Sequence, residues 1–238
     1  MDNELFAALA DDLEQLIRLH DRELDAATVL ALRAADFPAG LALPPAGEAG
    51  QLAYANMAAA LVEPTSLDEL AADYAAIYLN NSLGASPYES VWLSDDHLAC
   101  AAPMFELRER YAGSGLQAAD WRSRFDDHLV LQLQYVRHVL LDPATRGEAA
   151  GFIDEHVGYW FPDFAQRVSA HCATLFYAAL AELTHVWLLR CRELLGDIQD
   201  QPVPPRQQVS ERIHRKLALE KAEVAPIRFM PGVQGPSW

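Results

Sequence analysis

The side chains best suited to recognition chemistry lie in one short stretch of this chain, GASPYESVW at residues 84–92. It places the carboxylate of Glu89 near two aromatic residues, Tyr88 and Trp92. A carboxylate accepts paired hydrogen bonds from a guanidinium group, and an aromatic face can cover apolar groups or stack on an arginine. These residue types suit the binding of a partner that carries both basic and apolar groups.

Several residues of this stretch also have a purely structural interpretation. Pro87 is a common turn former, and Ser90 suits the cap of a following helix. Trp92 is large enough to belong to the hydrophobic core. The sequence leaves both interpretations open for these three residues, whereas Glu89 has the least structural reason to be there.

A second candidate group is the pair Asp127 and His128, which precedes the apolar stretch LVLQLQYVRHVL. An acidic residue is favoured near the start of a helix by the helix dipole, so the pair could be an N-cap followed by a solvated histidine. The alternative is a carboxylate and an imidazole directed at a partner. Sequence spacing alone does not decide between these two possibilities.

Two Glu-x-x-His patterns, Glu182 with His185 and Glu211 with His214, match the ligand spacing of carboxylate-bridged di-iron bundles. Such a site also needs one Glu from each of two further helices. Four-residue matches arise readily by chance in a chain with 34 acidic residues and 8 histidines. We therefore predict no metal and no other cofactor, and keep a helical di-metal carboxylate protein as an alternative.

Signatures of common enzyme classes do not occur in the sequence. It has no GxxxxGK[ST] loop, no GxGxxG after a strand, no GxSxG and no HExxH. We therefore predict a binding protein and not an enzyme. A further alternative is a non-catalytic helical adaptor that pairs through residues 207–223.

The sequence favours a cytoplasmic protein. Three widely spaced cysteines without a CxxC pair argue against a disulfide scaffold and favour a reducing compartment. The first residues, MDNELFAALADDLEQ, have no basic region and no small-residue cleavage site, so we expect no secretory signal. No apolar run reaches the roughly 18 residues of a membrane span, so we expect no stable membrane insertion.

The charge is strongly negative and unevenly distributed. The formal net charge is −16. Residues 1–199 contain twelve arginines, no lysine and thirty acidic residues, whereas residues 200–238 contain six basic and four acidic residues. An acidic body repels nucleic acid and anionic membranes and attracts basic peptides or cations. The charge therefore favours a basic peptide or a cation as partner, and we predict no nucleic acid.

Apolar residues recur at helical spacing almost throughout, and no segment alternates with a period of two. This pattern predicts an all-α, globular multi-helix bundle. The Pro-rich stretch QPVPPR at 201–206 predicts a linker between an all-helical domain, residues 1–199, and residues 200–238, which comprise the linker, a short charged helix and a mobile tail. The predicted helices lie at about 5–17, 24–36, 48–61, 66–78, 90–112, 120–141, 144–157, 162–195 and 207–223.

Taken in order, several segments resemble those of the TorD/DmsD/NarJ-type maturation chaperones, cytoplasmic all-helical proteins that escort molybdenum-cofactor oxidoreductases. The series runs from DYAAIYLN through PYESVW, and then Tyr111 and Gly115, to DDHLVLQLQYVRHVL. It continues with an aromatic stretch from Phe152 to Trp160 and a final long helix. The resemblance covers residues 66–195, and the residues before it agree only in being helical.

The resemblance implies a chaperone without catalytic residues or a cofactor. Its partner would be the precursor of a molybdenum-cofactor oxidoreductase catalytic subunit, bound through its twin-arginine signal peptide, its apo form, or both. The chaperone would assist cofactor insertion and delay export until folding is complete. The family's signal-peptide-binding region maps onto Pro87, Tyr88, Glu89, Ser90, Trp92, Asp127 and His128.

The chemistry of such a peptide agrees with these residues. A twin-arginine signal offers two guanidinium groups followed by an apolar stretch, so its receptor needs carboxylates and an aromatic-lined groove. Glu89 and Asp127 would supply the carboxylates. Tyr88 and Trp92 would supply part of the groove.

Overall fold

The structure, a computed structural model, describes residues 2–63, 65–94, 96–120 and 122–223. These residues form α-helices joined by turns and no strand, which confirms the predicted all-α class. Within the same ranges, no helix combines the length and the apolar character needed to cross a lipid bilayer. The helices are α1 Asp2–Asp21, α2 Ala26–Ala34, α3 Gly47–Val62, α4 Leu67–Tyr74, α5 Glu89–Leu93, α6 Ala102–Gly113, α7 Leu129–Leu141, α8 Ala149–Glu155, α9 Val157–His171, α10 Leu175–Gln199 and α11 Arg206–Glu223.

The core is organised around α10, which packs against α3 and α9, while α1 packs against α7. On α1, Leu9, Leu13 and Leu16 recur at helical spacing and have no exposed surface. Removing apolar surface from water is favourable by about 25 cal/mol per Å², so stripes of this kind supply most of the driving force for folding. Because α1 packs against α7 and α10 packs against α3, the bundle joins helices that are far apart in the sequence.

A buried carboxylate ties α1 to the rest of the bundle. Asp12 accepts hydrogen bonds from the backbone N–H groups of Ala42 and Leu43, in the loop before α3, and from the indole Nε1 of Trp187 on α10. Burial raises the pKa of Asp12, although these three donors act in the opposite direction. The side chain therefore fixes the loop and α10 relative to α1.

Two of the predicted helices are shorter than their apolar pattern suggested. The helix predicted over 120–141 begins only at Leu129, because the backbone just before it pairs with the segment before α5. That pairing uses extended backbone, which cannot at the same time be helical. The helix predicted over 90–112, in which Pro103 indicated a possible break, is divided into α5 and α6. Pro103 lies in the first turn of α6, where proline is tolerated.

The single helix predicted from Pro162 to Leu195 is also wrong. The chain instead forms α9 and α10, with a break after His171. Asp73 stabilises the break, because its carboxylate accepts hydrogen bonds from the backbone N–H groups of Ala173 and Thr174 at 3.0 and 2.6 Å. Pro162 therefore lies inside α9 and not in its first turn.

The chain after α10 returns to the body of the protein. α10 continues through Gly196, the predicted stop, and is capped by Asp200 in the left-handed conformation (φ 53°). Beyond the Pro-rich stretch, α11 lies against α8. The predicted mobile tail at residues 224–238 lies outside the described residues, and the domain division at 199/200 stays a prediction.

A buried histidine couples the stability of this core to pH. His20, on α1, contacts α10 and the short π-helix Ala75–Leu79 that follows α4. Its Nδ1 lies 2.6 Å from the hydroxyl of Tyr78, and its Nε2 lies 2.9 Å from the hydroxyl of Thr184. Burial lowers the pKa of His20 to about 3, so the imidazole is neutral in the folded protein. Below pH 6.5 the unfolded chain binds a proton at this residue that the folded chain does not bind.

We expect His20 to make the protein less stable as the pH falls from 6.5 towards 3. Its contribution to the slope of the unfolding free energy is at most about 1.4 kcal/mol per pH unit. Urea unfolding, followed by helical circular dichroism at pH 5, 6, 7 and 8, should show a shallower decline for His20→Gln than for the unchanged protein. The exposed His171, changed to Gln, is the control. Equal slopes for His20→Gln and the unchanged protein would contradict this assignment.

Candidate functional site

The two groups of candidate residues meet in the folded chain. Tyr88 and His128 form an isolated antiparallel bridge between the loop before α5 and the loop before α7. The amide of Glu89 donates to the carbonyl of Asp127 at 3.1 Å, and the amide of Leu129 donates to the carbonyl of Pro87 at 2.8 Å. We call these paired segments, residues 86–90 and 126–129, the junction.

Asp127 holds the junction together from inside. It is fully buried, and its Oδ2 accepts a hydrogen bond from the amide of Ser90 at 2.9 Å, in the first turn of α5. Burial raises the pKa of Asp127, and the contact with Ser90 opposes this rise. Its Oδ1 is buried without a hydrogen-bond partner among the described residues. Asp127 thus stabilises the start of α5 and not the start of the helix that follows it.

His128 is the N-cap of α7. Its Nδ1 accepts a hydrogen bond from the amide of Val130 at 3.1 Å, so this nitrogen carries no proton. Burial, followed by the charge of Arg124, lowers the pKa of His128 well below its usual value. The interpretation of the pair as an N-cap followed by a solvated histidine is therefore wrong in both parts. The N-cap is His128 and not Asp127, and only 3% of His128 is exposed.

Three other candidate residues have structural partners. Pro87 is buried, and its carbonyl belongs to the bridge. Ser90 lies inside α5 and accepts a hydrogen bond from the amide of Ala101 through Oγ, so its interpretation as a helix cap is wrong. Trp92 is half-buried and stacks on Trp160 with the ring centroids 6.4 Å apart.

On one side of the junction, Glu89 lines a cavity of about 120 Å³, which we call the acidic pocket. Glu106 of α6 and Glu155 of α8 also line it, together with His156. His156 lies between two carboxylates, with Nδ1 3.1 Å from Glu89 Oε1 and Nε2 3.5 Å from Glu106 Oε1. The first distance is a hydrogen bond, and the second is an ion-pair contact. Lys216 of α11 forms a salt bridge with Glu106.

The charges of the acidic pocket depend on one another. Burial alone would lower the pKa of His156, but the negative charges of Glu89 and Glu106 raise it to about 9, so the imidazole is protonated at neutral pH. Burial alone would raise the pKa of Glu106, but His156 and Lys216 lower it to about 2. Burial raises the pKa of Glu89 in spite of the neighbouring His156. The pocket therefore contains more carboxylates than its own imidazolium can neutralise.

On the other side of the junction lies a cleft of about 570 Å³, which we call the aromatic cleft. Tyr88 and His128 lie in its wall, with their rings edge to face at a centroid distance of 5.0 Å. Other apolar and aromatic side chains complete the lining, and Asp120 and Arg124 give it polar edges. The remaining aromatic and apolar lining residues are Tyr74, Tyr78, Leu79, Ala118, Ala119 and Leu131.

The structure thus divides the predicted site residues between two surfaces. Tyr88 and His128 line the aromatic cleft, and Glu89 lines the acidic pocket. This division follows from the extended backbone at the junction, where consecutive side chains point to opposite sides. Sequence reasoning missed His156 and Glu106, because no motif surrounds either residue. His156 lies 67 positions from Glu89, and Glu106 belongs to the group only through its contact with His156.

The two Glu-x-x-His patterns do not form a common cluster. The carboxylate of Glu182 accepts a hydrogen bond from Asn56, and that of Glu211 accepts one from Gln207. His214 contacts Ser210 on its own helix. Among the residues that the structure describes, no three side chains of His, Cys, Asp or Glu are grouped to hold a metal ion.

The fold and the junction define a class of protein: an all-helical bundle with an aromatic cleft beside an acidic pocket. A family model described as nitrate reductase delta subunit matches residues 44–166, slightly more than half of the chain. The chain therefore belongs to the nitrate reductase delta subunit family. The resemblance to the TorD/DmsD/NarJ-type proteins that the sequence motifs predicted is confirmed.

Curated relatives point to the same family. The chain is 27% identical over 141 residues to a protein named Chaperone protein TorD from Vibrio cholerae serotype O1, covering 55% of this chain and 64% of the relative. Proteins of the same name are 32% identical in Shewanella piezotolerans (52% and 60% covered) and 31% identical in Shewanella oneidensis (55% and 62% covered). The chain spans less than two thirds of the length of these relatives.

We expect Asp127→Ala to lower the free energy of unfolding by about 2 kcal/mol, because the buried amide of Ser90 loses its acceptor. Asp127→Asn should lower the free energy of unfolding by a smaller amount, since an amide oxygen can accept the same hydrogen bond. Asp11→Ala, on the exposed side of α1, is the control. Urea unfolding at pH 7 measures all three variants. A stability of Asp127→Ala equal to that of Asp11→Ala would show that the junction does not depend on this carboxylate.

Proposed function

We propose that this protein is a maturation chaperone that binds the precursor of a molybdenum-cofactor oxidoreductase. It is a binding protein and not an enzyme. It recognises the twin-arginine signal peptide of the precursor, its apo catalytic subunit, or both, assists cofactor insertion, and delays export until folding is complete. The proposal rests on membership of the family and on relatives that carry the name chaperone.

The observation that carries the proposal is the pair of surfaces that the junction holds. The aromatic cleft is large enough to take the apolar side chains that follow the arginines of a signal peptide. Leu79, at the edge of the cleft, is 66% exposed and offers apolar surface without a partner in the described part of the chain. Tyr88 presents a half-exposed ring on which a peptide side chain can pack.

The charge of the protein supports recognition of a basic ligand. The formal net charge is −16, and the excess of acidic residues lies in residues 1–199. Glu89, Glu106 and Glu155 concentrate carboxylates beside the junction. An arginine donates two parallel hydrogen bonds to a carboxylate, which a lysine cannot do, so such a surface distinguishes the two. Long-range attraction also speeds encounter with a basic peptide and weakens as salt screens it.

We expect the purified protein to bind a fluorescently labelled twin-arginine signal peptide, and to bind the Lys-Lys counterpart about tenfold more weakly. Fluorescence anisotropy titrations at 50 and 300 mM salt measure both affinities. Affinity for the twin-arginine peptide should fall at the higher salt concentration. Tyr88→Ala should weaken binding about tenfold, because the cleft loses its aromatic wall.

The matched control is Tyr54→Ala, which removes a half-buried tyrosine of α3 outside the aromatic cleft. It should leave peptide affinity unchanged. The proposal fails if the twin-arginine peptide does not bind and a co-expressed molybdoenzyme catalytic subunit does not co-purify. Binding of the subunit without binding of the peptide would restrict the proposal to the apo catalytic subunit.

A further inference from the structure

The C-terminal helix α11 covers the acidic pocket. Arg212, Ile213, Lys216 and Leu217 all line this pocket, on the side opposite to Glu89. They belong to one face of the helix, because residues four positions apart in a helix lie above one another. The face therefore presents two basic residues, each followed by an apolar residue.

The basic residues of this face contact the carboxylates of the pocket. Arg212 Nη1 lies 3.1 Å from Glu155 Oε1, and Lys216 forms a salt bridge with Glu106. Nearer the start of the helix, Arg206 Nη2 lies 2.6 Å from Asp163 Oδ2. Thus α11, in the basic part of the chain, is held on the acidic body by complementary charge.

The pocket beneath α11 contains a hydrogen-bonding group that remains unused. Glu89 is 1% exposed, and its Oε2 has no hydrogen-bond partner among the described residues. A buried carboxylate oxygen without a donor is costly, so such an atom marks a place where a donor can be gained. Arg212 and Lys216 instead contact the carboxylates nearer the surface.

We propose that α11 is a built-in occupant of the acidic pocket, and that an incoming basic peptide displaces it to reach Glu89. The inference rests on the proposed function, because the displacing peptide is the twin-arginine signal peptide of the precursor. In the resting protein, Arg212 and Lys216 take the place of the arginines of the peptide, and Ile213 and Leu217 cover the apolar edge of the pocket. Displacement exchanges these ion pairs for bonds from two guanidinium groups.

The contacts of α11 suit a helix that can be released. The side chains of Arg212 and Lys216 are 45% and 47% exposed, and ion pairs at such exposure contribute little to stability. A guanidinium that reaches the buried Glu89 forms a stronger interaction than these exposed ion pairs, because a charge-assisted hydrogen bond is stronger where water is excluded. Val209, in the first turn of α11, is buried and anchors the start of the helix. Over the pocket itself, the apolar contacts of the described side chains are limited to the half-buried Ile213 and Leu217.

The test compares two charge reversals at neighbouring positions of α11 in the full chain. Lys216→Glu places a carboxylate against Glu106 and should release the helix. Arg215→Glu makes the same change in net charge at an exposed residue that does not line the pocket. In the anisotropy titration, we expect Lys216→Glu to bind the twin-arginine peptide about two- to fivefold more tightly than Arg215→Glu does.

Hydrogen exchange followed by mass spectrometry measures the release of α11 directly, without a measurement of peptide affinity. Amides of α11 should exchange faster in Lys216→Glu than in Arg215→Glu without peptide. In the unchanged protein, saturating twin-arginine peptide should speed exchange in α11 and slow it in α5. Faster exchange in α11 on adding peptide supports displacement, and unchanged or slower exchange there overturns it.

The outcomes separate this inference from the proposed function. If the peptide binds Lys216→Glu and Arg215→Glu equally, or binds Lys216→Glu more weakly, the inference is wrong while peptide recognition stands. If the peptide binds neither these variants nor the unchanged protein, signal-peptide recognition itself is wrong, and the displacement inference falls with it. Faster exchange of α11 in Lys216→Glu would still establish that this ion pair holds the helix on the pocket.

Discussion

The site depends on the junction, where two extended segments pair because a buried carboxylate and a buried imidazole cap the helices that follow. Asp127 bonds to the first turn of α5, and His128 bonds to the first turn of α7. Both side chains belong to the segment 126–129, and Asp127 bonds across the pair whereas His128 bonds along its own chain. The starts of both helices and the bridge between Tyr88 and His128 therefore stabilise one another. One oxygen of the buried Asp127 has no hydrogen-bond partner among the described residues. The free-energy cost of this unpaired oxygen is offset by the surrounding hydrogen bonds of the junction.

This arrangement explains how one short loop serves two surfaces. Because the backbone at the junction is extended, Tyr88 faces the aromatic cleft, whereas Glu89 faces the acidic pocket. In the proposed function, the basic residues of a signal peptide would bind on the acidic side and the apolar residues on the aromatic side. The protonated His156 keeps Glu89 and Glu106 close together by lying between them, so the pocket remains acidic without mutual repulsion of its carboxylates.

α11 connects the charge asymmetry of the sequence with the site. The acidic residues of the body attract basic ligands of any origin, including the basic part of the same chain. Under the proposed function, continuously exposed carboxylates and apolar surface would also attract unrelated basic proteins. The displaceable α11 that we propose would raise the threshold for binding, because a ligand would have to exceed the helix in affinity before it occupied the pocket.

The sequence by itself determined the all-α class, the family and the two segments that form the junction, because helical periodicity and short ordered motifs are local properties. It gave Glu89 the least structural reason among its neighbours, whereas the folded chain buries this carboxylate against His156. Tertiary structure alone decided that Asp127 and Ser90 bond to each other across 37 positions and that Glu89 meets His156 across 67. It also decided that α7 starts late, that α9 and α10 are separate, and that α11 covers the pocket. These features follow from hydrogen bonds and ion pairs between distant residues, and no spacing along the chain encodes such contacts.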